Sequence, residues 1–307
     1  MINQIPFLYD PDWHAHEIHY NEFYDTRLVK NCTIIDNNIM MPILIFDKSD
    51  KSRVVHQGGF FSVTPFLKNR EDYESSSYKK LVRKFITKSV EIASENEVTD
   101  FRIHQFPLQT INRPFSYCQE LGYETLYRGR SMVDFRNSEI DEIWSHVRTR
   151  YRGNIRKVGS PKVHYGSISH KVFSSLVDRH LELTGRKTKP DICWDILEEF
   201  INSGRAMVIQ HNRDFLYFFI SKKYAYYAIS AAEKNSANVT HALMWRAIEA
   251  VKEIGCDILD IGIYYPSSFN GSLSVSESSD LHKIKNISYF KNGFANTTIP
   301  DFYSRLI

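Results

Sequence analysis

The sequence has few cysteines, and no two of them have the spacing of a metal site. The four are Cys32, Cys118, Cys193 and Cys256, which lie far apart and form no Cys-x-x-Cys pair. This pattern is typical of buried, reduced thiols in a cytoplasmic protein, because secreted domains of this kind carry paired cysteines. We therefore expect a cytoplasmic chain without a disulfide framework.

Long apolar runs and an excess of one charge sign are also missing. No apolar run reaches the roughly 20 residues that a membrane-spanning helix needs. Residues 1–10 lack the basic start and apolar core of a signal peptide. The net charge is only +3 over 307 residues, which is too small for nucleic-acid binding by the whole surface. We expect no membrane insertion, and any anion-binding site must be local.

Familiar catalytic and metal-binding patterns are absent as well. The sequence contains no Walker, Rossmann, Gly-x-Ser-x-Gly or zinc-finger pattern. The three histidines His14, His16 and His19 invite a metal interpretation, but none are spaced i, i+4 and no cysteine lies near them. We predict that they belong to an N-terminal helix or strap and that no metal is bound.

The length and the order of the patterned segments indicate two lobes. A chain of 307 residues exceeds the usual size of a single core. The first half reads as three strands, helix, strand, helix and strand; the second contains three strands joined by connections short enough to make them antiparallel. We predict an α/β (α+β) fold with lobes at 1–137 and 138–307. Each lobe is expected to be a mixed, mostly antiparallel sheet flanked by helices.

The second half carries the clearest patterns. Thr240–Gly255 has apolar residues at helical spacing and ends on a glycine, and Cys256–Gly262 alternates as a half-buried strand does. Residues 138–158 predict one long helix, closed by the sequence Gly-Ser-Pro. We also predict a strand at Ile284–Phe294 and a short helix near Pro114–Leu121.

Taken in order, these segments resemble the FemABX peptidyltransferases and related GNAT-like acyltransferases. The shared features are an arginine-bearing helix, a loop after the next helix, a tyrosine-bearing strand, a helix-strand pair and a closing aromatic-lysine motif. They correspond to Trp144–Val158, Leu183–Arg186, Ala225–Ala232, Leu243–Gly262 and Phe290–Phe294. Looser matches in the first half are Met41–Leu44 and Leu121–Tyr123. The resemblance implies two GNAT-like lobes.

The resemblance also implies an activity, namely N-acyltransfer to an amine on a sugar- or peptide-containing cell-envelope precursor. The acceptor would be a small or nucleotide-linked molecule, and the donor an acyl-CoA cosubstrate or a charged tRNA, with no tightly bound cofactor. The chain lacks coiled-coil heptads for a helical arm, which counts against tRNA. Residues 235–239 (NSANV) lack the glycines that let a loop approach a pyrophosphate, which counts against CoA. The donor and the oligomeric state therefore stay open.

Two residues are candidates for catalysis. Acyl transfer needs a group that stabilises the tetrahedral oxyanion, and the resemblance assigns this role to Lys291. Its neighbours Phe290 and Phe294 would exclude water and strengthen that interaction. Asp260 would act as a general base or hold the acceptor amine. The alternatives are a surface lysine and a strand-end carboxylate that caps a nearby amide.

Three arginines are candidates for binding an anionic substrate. Arg148, Arg152 and Arg156 lie four residues apart, so a continuous helix would place them on one face. Guanidinium forks bind pyrophosphate or carboxylate in bidentate fashion. The stripe would hold a nucleotide-linked acceptor or the phosphates of a charged tRNA. The alternative is a solvated basic face.

Three further residues complete the predicted site. Tyr226 and Tyr227 follow each other on a strand and so point to opposite faces, one into the core and one towards a substrate groove. The sequence leaves open which is which. Arg186 would lie at the mouth of the groove or be merely exposed. A different class of function is also open, in which the fold is kept by a non-catalytic protein that binds a glycan precursor or a partner.

Overall fold

The computed structural model describes residues 10–36, 39–56, 62–63, 66–67, 76–104, 118–221, 223–233, 237–264 and 281–306. These residues form two compact units. The C-terminal unit holds Gly129–Ile299, and the N-terminal unit holds residues 10–128 together with 300–306. The boundary thus falls at residues 128 and 129, inside a strand, whereas the sequence pattern suggested 137 and 138.

The N-terminal unit begins with a helix and continues as short strands around one long helix. Its elements are α1 (Pro11–Phe23), β1 (Arg27–Asn31), β2 (Ile34–Asp36), β3 (Ile39–Met41), β4 (Leu44–Asp47), β5 (Arg53–His56), β6 (Ser62–Val63), β7 (Phe66–Leu67), α2 (Ser76–Glu95) and β8 (Val98–His104). The main sheet has the order β1-β4-β5-β8, and residues 303–306 add an antiparallel strand to β8. A second, three-stranded sheet has the order β2-β3-β7.

Local patterns in this unit predict its elements well. The sequence Asp36-Asn37-Asn38 between two apolar runs predicts a hairpin, and β2 and β3 pair antiparallel with Asp36 opposite Ile39. Apolar residues at helical spacing predict a helix over Ser76–Ser94, and helix α2 confirms it by burying Val82, Phe85 and Ile86 in the same core as Phe101. The sequence also predicts a strand over Val54–Val63, and residues 57–61 of it, like most of the predicted helix near Pro114–Leu121, lie outside the described residues.

The C-terminal unit is built on a six-stranded sheet. Its elements are β9 (Glu124–Asp134), α3 (Ile140–His146), α4 (Thr149–Ile155), β10 (Lys162–Tyr165), α5 (His170–Thr184), α6 (Asp191–Asn202), β11 (Ala206–His211), β12 (Asp214–Ser221), β13 (Tyr224–Ala231), α7 (Ala237–Ile254), β14 (Ile258–Tyr264), α8 (Leu281–Asn292) and the start of β15 (Thr297–Leu306). The strand order is β9-β14-β13-β12-β11-β10. Only β13 and β14 are parallel; the other neighbours in this sheet are antiparallel.

The core of the C-terminal unit lies between this sheet and α7. The helix buries Leu243, Met244, Ala247, Ile248 and Val251, all of which are excluded from solvent. Every residue of β12 is buried, as expected for a central strand covered on both faces. The predicted fold class, with two lobes that each combine a mixed, mostly antiparallel sheet with helices, is confirmed.

Two predicted elements are wrong. The helix expected over 138–158 is interrupted at Val147 and Arg148, whose backbone is extended. The N–H of Arg148 donates to the carbonyl of Gly293 at 3.0 Å, so a tertiary hydrogen bond replaces one turn of helix. The strand expected at Ile284–Phe294 is mostly helix α8. Phe290 and Phe294 are four residues apart and both pack on Tyr151, a spacing that fits a helix better than a strand.

No helix among the described residues is long and apolar enough to cross a membrane. The four cysteines are free thiols, with Cys32 half-buried and the other three buried.

Candidate active site

The sheet of the C-terminal unit opens between β13 and β14. These parallel strands pair at three positions, the last of which joins Tyr226 to Asp260. Both strands continue beyond that pair, to Ala231 and Tyr264. The unpaired ends leave an opening in the sheet, where a substrate can approach backbone that the ladder does not use.

A β-bulge flanks the opening on each side. On β13, Ala228 has no pairing partner on β12, although Tyr227 before it and Ile229 after it are both paired. On β14, Ile261 is passed over because Asp260 pairs with Met132 and Gly262 with Ser131 on β9. A bulge leaves the extra residue outside the ladder and turns the strand locally. The opening is therefore lined by irregular backbone on both strands.

Lys291 reaches this backbone from the last turn of α8. Its Nζ atom lies 2.7 Å from the place that a Cβ atom on residue 262 would occupy. Gly262 also has φ +102°, which side-chain-bearing residues rarely adopt. Glycine is thus required at 262 for two reasons, and its missing side chain makes room for the ammonium group beside the opening.

Aromatic rings surround the end of α8. Phe290 and Phe294 contact each other with ring centroids 5.3 Å apart, and both contact Tyr151 of α4 and His241 of α7. Tyr151 stacks on His241 at 3.9 Å. Because these rings exclude water, a charge developing near Lys291 is screened less than in solvent.

His241 is neutral at physiological pH. It is buried, and its Nδ1 atom lies 3.1 Å from Nδ2 of Asn154. Burial lowers the pKa of His241 to about 4, and the positive charge of Arg150 adds to this effect. The ring therefore acts as an uncharged stacking partner for Tyr151.

This pKa predicts a specific loss of stability in acid. The unfolded chain takes up the His241 proton near pH 6.5, whereas the folded chain does so only near pH 4, so stability falls as pH falls through that window. Between pH 7 and pH 5 the protonation of His241 should lower the free energy of unfolding by about 2 kcal/mol. Urea unfolding at both pH values should show that His241→Gln loses less stability than the parent. Equal losses would contradict the assignment.

The carboxylate of Asp260 accepts three hydrogen bonds beside the opening. Its carboxylate is fully buried, receives a hydrogen bond from Arg130 Nη1 at 2.7 Å, and accepts another from the backbone N–H of Gly262 at 2.7 Å. The hydroxyl of Tyr224 is a third donor. Burial and the neighbouring carboxylate raise the pKa of Tyr224 well above its usual value, so the phenol stays protonated and donates.

Ser131 is a buried polar residue on β9, which pairs with β14 on the side away from β13. It lies directly opposite Gly262, and opposed residues of an antiparallel pair project from the same face. Its hydroxyl is buried and has no hydrogen-bond partner within the described residues. A buried polar group without a partner is rare, and this one lies beside the backbone of Gly262.

The three arginines of the predicted stripe follow one another along α4, because the N–H of Arg152 donates to the carbonyl of Arg148 and that of Arg156 to the carbonyl of Arg152. Arg148 donates to the carbonyl of Tyr289 at 2.6 Å and lies over its ring, which ties it to α8. Arg152 turns back to the carbonyls of Trp144 and Ser145 at the end of α3, and Arg156 lies over the Trp144 ring. The guanidinium groups of Arg152 and Arg156 thus both lie at Trp144, whereas that of Arg148 lies at Tyr289.

The two tyrosines separate as neighbouring strand residues should. Tyr227 packs on Phe218 at 5.3 Å in the core. Tyr226 is half-buried and pairs with Asp260, so it projects from the face of that carboxylate. Arg186 is exposed in the loop after α5, and within the described residues no contact joins it to the opening.

The N-terminal histidines lie in helix α1. His16 is buried and stacks between Trp13 and Tyr20, with ring centroids 4.5 and 6.0 Å away. Within the described ranges, no group of three or more His, Cys, Asp or Glu residues is arranged to hold a metal ion.

Sequence reasoning missed Arg130, Tyr224 and Ser131. The first is 130 positions from Asp260, and no local pattern links them. Gly262 could have been singled out, since a glycine within an apolar strand often marks a bulge or a close approach.

Solved structures match this fold, although no protein-family model matches the sequence and no curated protein is significantly similar to it. FemX aligns with a TM-score of 0.62 and 10% identity, over 94% of this chain and 90% of that one. The C-terminal domain of a protein named as lysylphosphatidylglycerol synthetase from Agrobacterium fabrum aligns with a TM-score of 0.61 and 14% identity, over 96% of this chain and 90% of that one. L-PGS from Bacillus licheniformis aligns with a TM-score of 0.58 and 15% identity, over 93% of this chain and 85% of that one.

These matches define the class of fold. The chain shares the fold of FemX over most of its length, as the sequence resemblance predicted. At these identities the likeness concerns the fold alone.

Proposed function

We propose that the protein is an N-acyltransferase that moves an acyl or aminoacyl group to an amine on a sugar- or peptide-containing cell-envelope precursor. The observation that supports this most strongly is the position of Lys291 Nζ against Gly262, beside the opening between β13 and β14. A fold shared with FemX, with L-PGS and with a protein named as lysylphosphatidylglycerol synthetase supports a transferase of this general class.

In the proposed reaction the acceptor amine attacks the carbonyl carbon of the acyl donor. The carbonyl π electrons move to oxygen, and the Lys291 ammonium donates a hydrogen bond to this oxyanion. Collapse of the intermediate forms the amide and expels the donor's thiolate or alkoxide, which receives the proton that the amine loses.

We assign Asp260 a positioning role within this reaction. The sequence suggested a general base, but the carboxylate already accepts hydrogen bonds from Arg130, Tyr224 and the N–H of Gly262. Through the last of these bonds it fixes the bulged backbone over which Lys291 lies. The roles of Arg148, Arg152, Arg156, Arg186, Tyr226 and Phe290 in substrate binding stay predictions.

A single-turnover transfer assay tests the activity and resolves the donor. The purified protein is mixed with amine-containing nucleotide-linked sugars or peptides and with either acyl-CoA or aminoacyl-tRNA. The masses of the products are then measured by mass spectrometry. We expect an acceptor heavier by the acyl group from one donor class only. If neither donor supports transfer while the precursor still binds, and Lys291→Ala binds it equally well, the protein is a binding protein and the proposal fails.

A further inference from the structure

A groove of about 530 Å³ lies in the N-terminal unit between β2 and helix α2. We call it the α2 groove. Four cations and two carboxylates line it, namely Lys80, Arg83, Lys84, Lys88, Asp36 and Glu91. Nothing in the proposed acyl transfer uses these residues, so the positive groove needs a separate explanation.

The charges of α2 run in an order that does not favour the helix itself. Residues 76–90 (SSYKKLVRKFITKSV) include five basic and no acidic residues, and the acidic residues Glu91 and Glu95 follow near the end. A helix start carries partial positive charge and its end partial negative charge, so cations at the start and carboxylates at the end are each unfavourable. The arrangement gathers positive charge at one end of the surface rather than stabilising the helix.

The cations of the groove are available to an anionic partner. Lys84 pairs with Asp36 at 3.1 Å and Lys88 with Glu91 at 2.9 Å, but both lysines are well exposed, Lys84 by 69% of its side chain. Exposed pairs of this kind are weak and exchange readily for other anions. Lys80 is exposed and has no ion pair within the described part of the chain.

An apolar side chain lies beside these cations. Ile35 on β2 lines the α2 groove and is 69% exposed. The aromatic residue of the lining, Phe85, is buried in the core. Binding of single-stranded RNA would call for exposed aromatic rings on which bases stack. An exposed aliphatic side chain ringed by lysines fits the interface of a bilayer with anionic headgroups.

We infer that the α2 groove docks on the surface of an anionic phospholipid bilayer. Lys80, Lys84 and Lys88 bind lipid phosphates, and Ile35 enters the boundary between headgroups and acyl chains. This binding is peripheral and reversible, because it rests on a few charges and one apolar side chain. It holds the protein at a membrane whether or not the proposed transfer reaction occurs.

Co-sedimentation of the full chain with vesicles tests this inference. Vesicles of phosphatidylcholine alone are compared with vesicles in which about 30% of the lipid is anionic phosphatidylglycerol. We expect binding to the anionic vesicles. This binding should weaken in 0.5 M salt, because the Debye length is then only on the order of a few ångströms and exposed charges are screened beyond that distance. Lys80→Gln/Lys88→Gln should weaken binding by about 25-fold, since each lysine near such a surface contributes about fivefold.

The variants separate this surface from a general effect of charge. Lys80→Gln/Lys88→Gln keeps the ion pair of Lys84 with Asp36, and glutamine is a good helix former. Lys162→Gln/Lys171→Gln removes the same charge from exposed positions of the C-terminal unit and should bind as the parent does. Ile35→Thr should weaken vesicle binding without changing its dependence on salt.

Three outcomes would overturn the inference. The first is equal binding to neutral and anionic vesicles, and the second is an equal loss in the two double variants. The third is binding of a duplex RNA that is lost in Lys80→Gln/Lys88→Gln, kept in Ile35→Thr and accompanied by no vesicle binding, which would make the α2 groove an RNA surface.

Discussion

Replacing Lys291 by alanine is expected to lower kcat at least about 100-fold, because removing one donor to an oxyanion typically costs that much. The acceptor dissociation constant should change by less than about threefold, because the lysine acts on charge that appears only in the transition state. Single-turnover rates and equilibrium binding of the same acceptor measure the two effects separately.

The helix that carries Lys291 also provides its control. Lys285 lies on α8 and is exposed, so Lys285→Ala removes the same charge from the same helix away from Gly262. We expect this variant to keep the parent rate. A parent-like rate for Lys291→Ala, or an equal loss in both variants, would contradict the role of Lys291.

Gly262→Ala tests the same geometry from the strand. A methyl group there would lie 2.7 Å from Lys291 Nζ, and alanine would have to adopt φ +102°. The ammonium group must therefore move away, and kcat should fall about as far as in Lys291→Ala, with added destabilisation of about 1 kcal/mol or more from the backbone strain. A variant that is destabilised but keeps the parent kcat would show that this contact is structural only.

Much of the fold could be predicted because its elements are fixed by local patterns. Helix α7 and strand β14 follow from apolar spacing and from Gly255, which ends the helix with φ +89°. The break at Arg148 could not be predicted in this way. It depends on a hydrogen bond to Gly293, and a sequence window of one helix contains no trace of that partner.

The candidate site shows the same limit at the level of side chains. Lys291 could be singled out from its motif, but its position depends on Gly262, and that of α8 depends on Gly293. A Cβ at residue 293 would lie 2.1 Å from the Tyr151 ring. The ring of Tyr151 on α4 therefore packs directly against the backbone just after α8. Lys291 and Gly262 are 29 positions apart and Gly293 and Tyr151 are 142 apart, so the periodicity of one segment cannot reveal either contact.

Asp260→Asn is expected to destabilise the protein by about 3 to 5 kcal/mol, the usual cost of breaking a buried ion pair. The change leaves the buried guanidinium of Arg130 without its carboxylate. Urea unfolding at pH 7 measures the loss. Asp257→Asn is the matched control, because Asp257 lies just before the same strand and pairs with the exposed Lys223 at 3.0 Å. That pair should contribute no more than about 1 kcal/mol.

The activity of the same variant separates positioning from general-base catalysis. If Asp260 acts by fixing the N–H of Gly262, Asp260→Asn lowers kcat while the shape of the pH–rate profile stays that of the parent. Tyr224→Phe, which removes another donor to the carboxylate, should then give a smaller loss of the same kind. A general base would behave differently, because its loss removes the acidic limb of the profile. Disappearance of that limb in Asp260→Asn alone would restore the catalytic role and overturn the positioning role.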